Sequence, residues 1–410
     1  MKKIPPVREV KVGLNFDGSV TSVGRLALRG RDIYFEYEPS FIKQGLEISM
    51  IRLPLKSGVI NFPYSLFEGL PGVFNDSLPD GWGRLLFDRM ARSHNILPEE
   101  ISPLDRLISI GNHGLGALVY EPDHSLPMSS GEIRLDRLAE QTREVLEGTS
   151  ENVLQELLGL NGSSAGARPK ALIGLEPNRQ QIIHGAADLP SGYEPWIVKF
   201  ANTLDGGDAG AIEYVYSLMA KDAGITVPDT HLFPAQRGAG YFAVKRFDRN
   251  GKNRFHMHTV CGLLHADFRT PNLDYEQLLT LAGVLTRDVR EVEKLFRLAA
   301  FNVLAHNRDD HGKNFSFLMN SDGQWKLSPA YDLTFSSGPR GEQSTTVMGE
   351  GQNPGLSNLK KLGIEANLSK PRIQEILEQT QAALRKWDTL ANQHGVSKSN
   401  LELISKRFQI

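Results

Sequence analysis

One cysteine stands in 410 residues. That single thiol, Cys261, excludes an internal disulfide framework and fits a reducing compartment. Net charge is nearly absent too: 46 Lys and Arg against 48 Asp and Glu leave −2. This gives no footing for direct nucleic-acid binding as the main activity, although a local basic patch stays open. No apolar run approaches the ~18 residues of a membrane helix. The opening MKKIPPVREVKVGL lacks the apolar stretch of a secretory signal, so the chain reads as cytoplasmic with no membrane partner. Tandem repeats and low-complexity tracts are missing. So are several phosphate-binding signatures: no Gly-Lys-Ser/Thr closes a Walker A loop, and neither Gly-x-Gly-x-x-Gly nor His-Arg-Asp occurs.

What remains is an ordinary globular composition, 40% hydrophobic and 23% charged, long enough for two or three domains with cores of their own. Its most distinctive stretch is LAHNRDDHGKNFSFL, Leu304 to Leu318. Asn307, Asp309, Asp310, His311, Lys313 and Asn314 crowd a polar loop between two mostly apolar runs. Eleven residues after Asn314 the chain reads WKLSPAYDL, which brings in Asp332. The separation of Asp309 and Asn314 is that of the Asp-x-x-x-x-Asn of protein kinases, where the Asp orients the acceptor hydroxyl and the Asn holds Mg²⁺. A second metal-binding Asp follows about one hairpin later, and Asp332 occupies that place in Tyr-Asp-Leu. One carboxylate, one amide and phosphate oxygens form a fitting ligand set for this hard cation. Two other readings of the loop stay open. His306, Asp309, Asp310 and His311 are candidate metal ligands of a hydrolase, and Asp310 with His311 are candidates for simply ordering the loop.

Upstream, residues 9 to 60 predict a small sheet or barrel from the short strands Val10–Leu14, Ser22–Leu28, Asp32–Tyr37 and Ser49–Leu53, with Asp17-Gly18 as a hairpin signal. Pro79-Asp80-Gly81 punctuates the chain before a helix over Trp82 to Ser93, and a second short helix spans Leu104 to Ile110. No residue of this N-terminal part is assigned chemistry; it reads as a packing or partner-binding module. Residues 121 to 134 read as a linker.

Next comes GLNGSSAGARPKALIGL, in which Gly159, Gly162, Gly166 and Gly174 surround Ser163-Ser164 ahead of a strand beginning at Lys170. Free backbone N–H groups in such a loop can cover phosphates, and a mobile surface turn is the competing reading. In EPWIVKFAN, Lys199 sits among Trp196, Ile197, Val198 and Phe200. An ammonium there is costly without a partner. Fourteen residues on, Glu213 opens the helix Ala211 to Ala223. Two strands follow, and Ala243 to Arg246 reads as the hinge against which adenine would lie. From residue 274 the chain is mostly helical: Asp274–Ala282, Thr286–Asn307, Lys370–Gln393 and Ser397–Phe408.

GSSAGARPKA, WIVKF, VKRFDR, NRDDHGKNFSF and AYDL together resemble the HipA family of serine/threonine kinases, toxins of type II toxin–antitoxin modules. LPGVFNDSLPDGWGR resembles the small domain fused ahead of that kinase. The resemblance spans residues 10 to 390 or so. It implies an α+β, bilobal protein-kinase-like fold with a β-rich N-lobe (126–246) and a helical C-lobe (247–410), preceded by a small β-rich subdomain (1–125). It also implies phosphorylation of a protein Ser or Thr with ATP and Mg²⁺, an aminoacyl-tRNA synthetase as substrate class, growth arrest, and restraint by a small DNA-binding HipB-like antitoxin through which DNA is contacted. By the same resemblance Asp309 is the catalytic base and Asn314 and Asp332 are the metal ligands. Nucleotide contacts extend over Ser163, Ser164, Ala165, Gly166, Ala167, Lys199, Arg246, His311, Lys313, Asn314 and Asp332. Ser163 is the autophosphorylated loop serine, with Ser164 its rival; the pairing of Glu213 with Lys199 follows the arrangement of ordinary protein kinases, since this family defines the helix Glu less clearly. A small-molecule kinase on the same lobe plan and a non-catalytic member of a repressor complex are the alternatives. The full set of polar parts speaks against the latter, and the N-terminal module with the glycine loop favours the protein kinase over the former.

Overall fold

The computed structural model describes residues 7–126, 131–148, 154–161, 166–185, 189–202, 205–270 and 272–410. Period-2 alternation builds the first sheet. In β1 (Glu9–Asn15), Val10, Val12 and Leu14 are buried while Glu9 and Lys11 face solvent. β2 (Val20–Arg29), β3 (Asp32–Tyr37), β4 (Val59–Asn61) and β5 (Leu118–Glu121) complete a five-stranded antiparallel sheet in the order β4-β3-β2-β1-β5. The Asp17-Gly18 turn joins β1 to β2, with Gly18 at φ 104°. Ser49–Leu53, expected as a strand, is instead a tight turn in which Leu53 N–H donates to Ser49 O (2.9 Å). Burial of Ile48 and Leu53, together with a hydrogen bond from Tyr37 Oη to Leu53 O (2.8 Å), holds it out of any ladder.

A second antiparallel sheet forms from β6 (Lys170–Leu175), β7 (Ile182–His184), β8 (Glu194–Lys199), β9 (Thr230–Phe233) and β10 (Tyr241–Lys245), in the order β7-β6-β8-β10-β9. All six residues of β6 are buried. The core on this sheet joins Ile173, Val198 and Ala243 to Trp82 and Leu86 of the helix Gly81–Ser93. That N-terminal helix is therefore part of the second lobe's core. The helix Ala209–Asp222 packs between β9, β10 and the helices Lys370–Leu384 and Trp387–Gln393, burying Val215, Tyr216 and Met219.

The remaining lobe is helical around Val289–Leu304, in which Leu298 to Leu304 are all buried. Asp288 caps this helix by accepting from Arg290 N–H (2.9 Å), which sets its start later than Thr286. Leu356–Glu365 is a further helix not anticipated from the sequence, and the expected Lys370–Gln393 span divides after Leu384. A small sheet of β11 (His256–Thr259), β12 (Ser316–Met319) and β13 (Trp325–Leu327) flanks the polar loop. Among the described residues no helix is long and apolar enough to cross a membrane.

The N-terminal subdomain is docked on this lobe by close backbone approach and by buried polar ties. A Cβ on Gly72 would lie 2.2 Å from Gly262 O, so only glycine permits the contact. Asp76 accepts from Thr259 N–H (2.7 Å), Thr259 Oγ1 (2.7 Å) and His258 Nδ1 (2.6 Å), while His258 Nε2 meets Ser49 Oγ (2.9 Å). Ser49, His258 and Asp76 have the connectivity of a hydrolytic triad. Ser49 and His258 are buried, however, so no substrate reaches the hydroxyl and the arrangement serves as an interdomain tie. Beside it, His256 Nε2 donates to Ile48 O (2.8 Å) and Nδ1 has no hydrogen-bond partner.

Burial pushes the His256 imidazole from its ordinary 6.5 down to about 3, with the neighbouring His258 adding to the effect. The folded state thus binds fewer protons than the unfolded state between those values. The stabilisation is complete above pH 6.5 and is lost as pH falls toward 3. Urea unfolding should therefore show a loss on the order of 2 kcal/mol between pH 7.5 and 5 from this one residue, and His256→Gln should flatten that dependence. Equal pH dependence in wild type and variant would remove the assignment.

Candidate active site

Alternation along β8 buries Trp196 and Val198 and leaves Lys199 at the strand end, facing the interlobe cleft. Its Nζ contacts both Glu213 Oε1, from the helix Ala209–Asp222, and Asp332 Oδ1, from the loop after β13. Burial works against the Lys199 ammonium, but Asp332 and Glu213 outweigh it and hold the group charged. Burial would also raise Asp332, yet Lys199 and Lys170 keep that carboxyl well below the usual range. Lys170 is the direct cross-strand neighbour of Lys199 in the β6–β8 register. Burial lowers the Lys170 amine, with Asp332 opposing. Two like charges side by side are unfavourable alone; here they share one carboxylate. Asp332 itself lies in the left-handed region at φ 54°, a conformation non-glycine residues adopt where surroundings over-determine it.

The polar loop leaves the buried end of Val289–Leu304. Its two adjacent acids have opposite fates. Asp310 turns inward and is 1% exposed. It accepts from Tyr275 Oη (2.6 Å), Gln343 Nε2 (2.8 Å), Ser344 N–H (3.0 Å) and Thr345 N–H (3.2 Å). Burial pushes its carboxyl up to about 7, and the Tyr275, Gln343 and Thr345 donors oppose this. The network runs on through Asn302 to Asn307 (3.0 and 2.9 Å). Asp309 faces outward with 59% of its side chain exposed, and His311 Nε2 lies 3.8 Å from it. Asn314 Nδ2 donates to Asp309 O (2.6 Å), which orients the amide. Loop ordering by Asp310, raised as one reading of the sequence, is thus real. The hydrolase-type metal site is not formed: Asp310 is committed inward, His306 stacks on Phe335 at 5.5 Å, and no cluster of His, Cys, Asp or Glu among the described residues could hold a metal ion. An ion completed by phosphate oxygens fits better. Asp332 and the Asn314 amide oxygen would supply its protein ligands, and the buried His311 Nδ1, without a hydrogen-bond partner, offers a further polar contact.

Asp80, read from sequence only as punctuation, belongs to this site. It begins the helix Gly81–Ser93, and its backbone carbonyl accepts from Gly83 N–H (3.0 Å), but its carboxylate accepts nothing from that helix. Its carboxylate bridges Gly166 N–H of the glycine-rich loop and Lys313 Nζ of the polar loop, and those contacts hold it below the usual range against the effect of burial. Gly81, at φ 43°, could carry no side chain here, because a Cβ would lie 2.6 Å from Ala167 Cα. Trp82 N–H donates to Gly166 O (3.1 Å). The expected Gly166 N–H is therefore engaged by Asp80, and Ala167 packs on Gly81. Ser163, Ser164 and Ala165 lie outside the described residues. Arg168 joins the cluster through Asp205 (3.2 Å) and Glu213 (3.4 Å). Arg246 does not: its guanidinium pairs with Asp248 (2.7 Å) and Gly114 O (3.3 Å) against the N-terminal subdomain. A charged side chain next to Asp248 and Arg249 satisfies its neighbours before it can reach across a lobe.

Asp80→Ala would leave the nearly buried Lys313 ammonium without its carboxylate. We expect a stability loss of about 3 kcal/mol by urea unfolding, with faster amide exchange at Gly166. Unchanged exchange there would show that Asp80 does not hold the loop.

Comparison with known proteins gives the family and the fold. Residues 162–387 match the HipA-like C-terminal domain family, and residues 18–121 match the HipA N-terminal domain family. The candidate kinase Y4mE of Sinorhizobium fredii is 27% identical, covering 87% of both chains. Y4dM of the same organism, also a candidate kinase, is 25% identical over 44% of this chain and 45% of its own. In three dimensions, the chain aligns with a chain of a complex of HipA, HipB and operator DNA from Shewanella oneidensis, with TM-score 0.69 and 16% identity over 97% of this chain and 94% of that one. The fold is bilobal and protein-kinase-like with a β-rich subdomain ahead of it. With a HipA-like C-terminal domain over more than half its length and the HipA N-terminal domain before it, this chain belongs to the HipA family.

Proposed function

We propose that this chain is a cytoplasmic serine/threonine protein kinase that uses ATP and Mg²⁺ and serves as the toxin of a toxin–antitoxin pair. The observation that carries the reading is the meeting of Lys199, Glu213 and Asp332 from a strand, a helix and a loop, at the cleft that also receives the Asp309–Asn314 loop. With domain limits proposed at 1–125, 126–246 and 247–410, that cleft falls between the second and third segments.

Lys199 and Lys170 face the nucleotide phosphates, and Lys313 joins them when Asp80 releases it. Asp332 and Asn314 would hold the metal, which would supply positive charge against the phosphate oxygens. Asp309, exposed and preceding the orienting amide of Asn314, accepts the proton of the incoming hydroxyl. That hydroxyl oxygen forms a bond to the γ-phosphorus as the bond from γ-phosphorus to the bridging oxygen breaks, and ADP leaves. The Shewanella HipA chain occurs with HipB and operator DNA. A HipB-like partner that carries the DNA contact suits a chain of net charge −2. The family resemblance supports an aminoacyl-tRNA synthetase as substrate class.

Incubation with labelled ATP and Mg²⁺, with and without cell lysate, followed by mass spectrometry of labelled residues, tests the reading. Asp309→Ala should lower transfer by on the order of 10² to 10⁴, and Asp332→Ala should remove Mg²⁺-dependent nucleotide binding. Full activity in either variant would remove these roles.

Ser163 is the proposed self-modified residue, with Ser164 next to it. A phosphate there adds about −1.5 to −2 charge, with Arg168 and Lys170 close behind in the sequence as candidate partners, and would repel an incoming triphosphate. Calorimetry should find ATP affinity lower in Ser163-phosphorylated protein than in unmodified protein; equal affinities would reject the switch.

A further inference from the structure

A cavity of about 340 Å³ beside the polar loop is separate from the nucleotide cleft and plays no part in the chemistry above. Arg308, Arg407, His306, Ser337 and Asn353 contribute to its wall. Arg308, immediately before Asp309, donates among the described residues to the backbone carbonyls Gly341 O and Gln352 O (the latter 3.0 Å). Arg407 is exposed. Among the described residues neither guanidinium has a carboxylate within ion-pair distance; Asp310 and Glu342 act on Arg308 only from further away. His306 registers the resulting field, since its imidazole is held down to about 4 by burial and then by the charges of Arg308 and Arg407.

The cavity wall is also fastened to the loop that carries Asp309. Ser336 N–H donates to His306 O (3.2 Å), and Ser344 N–H and Oγ donate to Arg308 O (3.2 and 2.8 Å). Whatever fills the space between the two guanidiniums acts directly on the segment 336–344 and on the backbone of Arg308.

We propose that this cavity is a binding site for a phosphoryl dianion, clamped by Arg308 and Arg407 and borne either on Ser337 of the same chain or on a free small molecule. A guanidinium pair without carboxylates suits a dianion, because each fork offers parallel N–H donors to phosphate oxygens. Ser337 is exposed at the cavity wall. A phosphate on its Oγ comes from ATP: the oxygen bonds the γ-phosphorus, the β–γ anhydride bond breaks, the hydroxyl proton goes to a base and ADP leaves. The added charge then meets arginines already in place, the means by which phosphorylation orders a segment in other switching proteins. The consequence is a stiffer Asp309 loop.

The test is equilibrium dialysis of the full-length chain with ³²P-labelled inorganic phosphate, in the Asp309→Asn background so that turnover plays no part. Binding is thereby read independently of the kinase assignment. Arg407→Gln, an exposed change outside the catalytic cleft, should weaken phosphate binding about tenfold, the loss of one charge-assisted contact. Unchanged affinity in that variant overturns the proposal. If affinity falls, a chain carrying phosphoserine at 337 separates the sources. Displacement of labelled phosphate assigns the site to Ser337, and undiminished binding assigns it to a free phosphoryl compound.

Discussion

A buried ammonium needs a counter-charge, and that need holds the centre of this molecule together. Lys199 has little access to water, and an isolated charge there would cost several kcal/mol. Glu213 and Asp332 supply the compensation, but they come from a helix and from a loop 133 residues away. The second sheet, the helix Ala209–Asp222 and the helical lobe must therefore close on one point before the charge is satisfied. Lys170 sharpens the requirement by placing a second cation opposite the first. Under the proposed function, a triphosphate would meet both lysines and share their charge with Asp332.

The N-terminal subdomain takes part in this arrangement. Its contacts fall on both lobes. Gly72 and Asp76 hold the helical side through Gly262, Thr259 and His258; Asp80, Gly81 and Trp82 hold the glycine-rich loop on the other. Because the Asp80 carboxylate bridges that loop and Lys313, the relative position of the glycine-rich loop and the polar loop depends on a third unit. Interlobe opening cannot occur without affecting at least one of these ties.

Asp309 and Asp310 illustrate how one backbone step separates chemistry from architecture. Four donors surround Asp310 and fix the loop from within. Asp309 is left outside that network, accessible and aimed away from it. A loop whose inner acid is fully satisfied can present its outer acid without conformational loss, which is what the base role proposed for Asp309 requires.

Much of the site was legible in the chain. Lys199 stood out because an ammonium in an apolar strand demands a partner, and Glu213 was in range on an adjacent helix. Asp309, Asn314 and Asp332 were legible because their spacing belongs to one local loop and hairpin. Strand alternation and helical periodicity likewise outlined β1, β2, β3, β6 and β8. Other features were not legible. Asp80 looks like any residue before a helix; that its carboxylate turns from its own helix to Lys313, 233 positions away, depends on how subdomain and lobes dock. Arg246 seemed placed for the cleft until Asp248, two residues on, offered a nearer charge. Ser49–Leu53 has strand composition, yet burial of its two ends bends it into a turn. Local sequence determines which groups need partners, because propensity and desolvation act residue by residue. Which partner each group finds was decided by tertiary structure alone, because that choice rests on distances between segments that no spacing in the chain records.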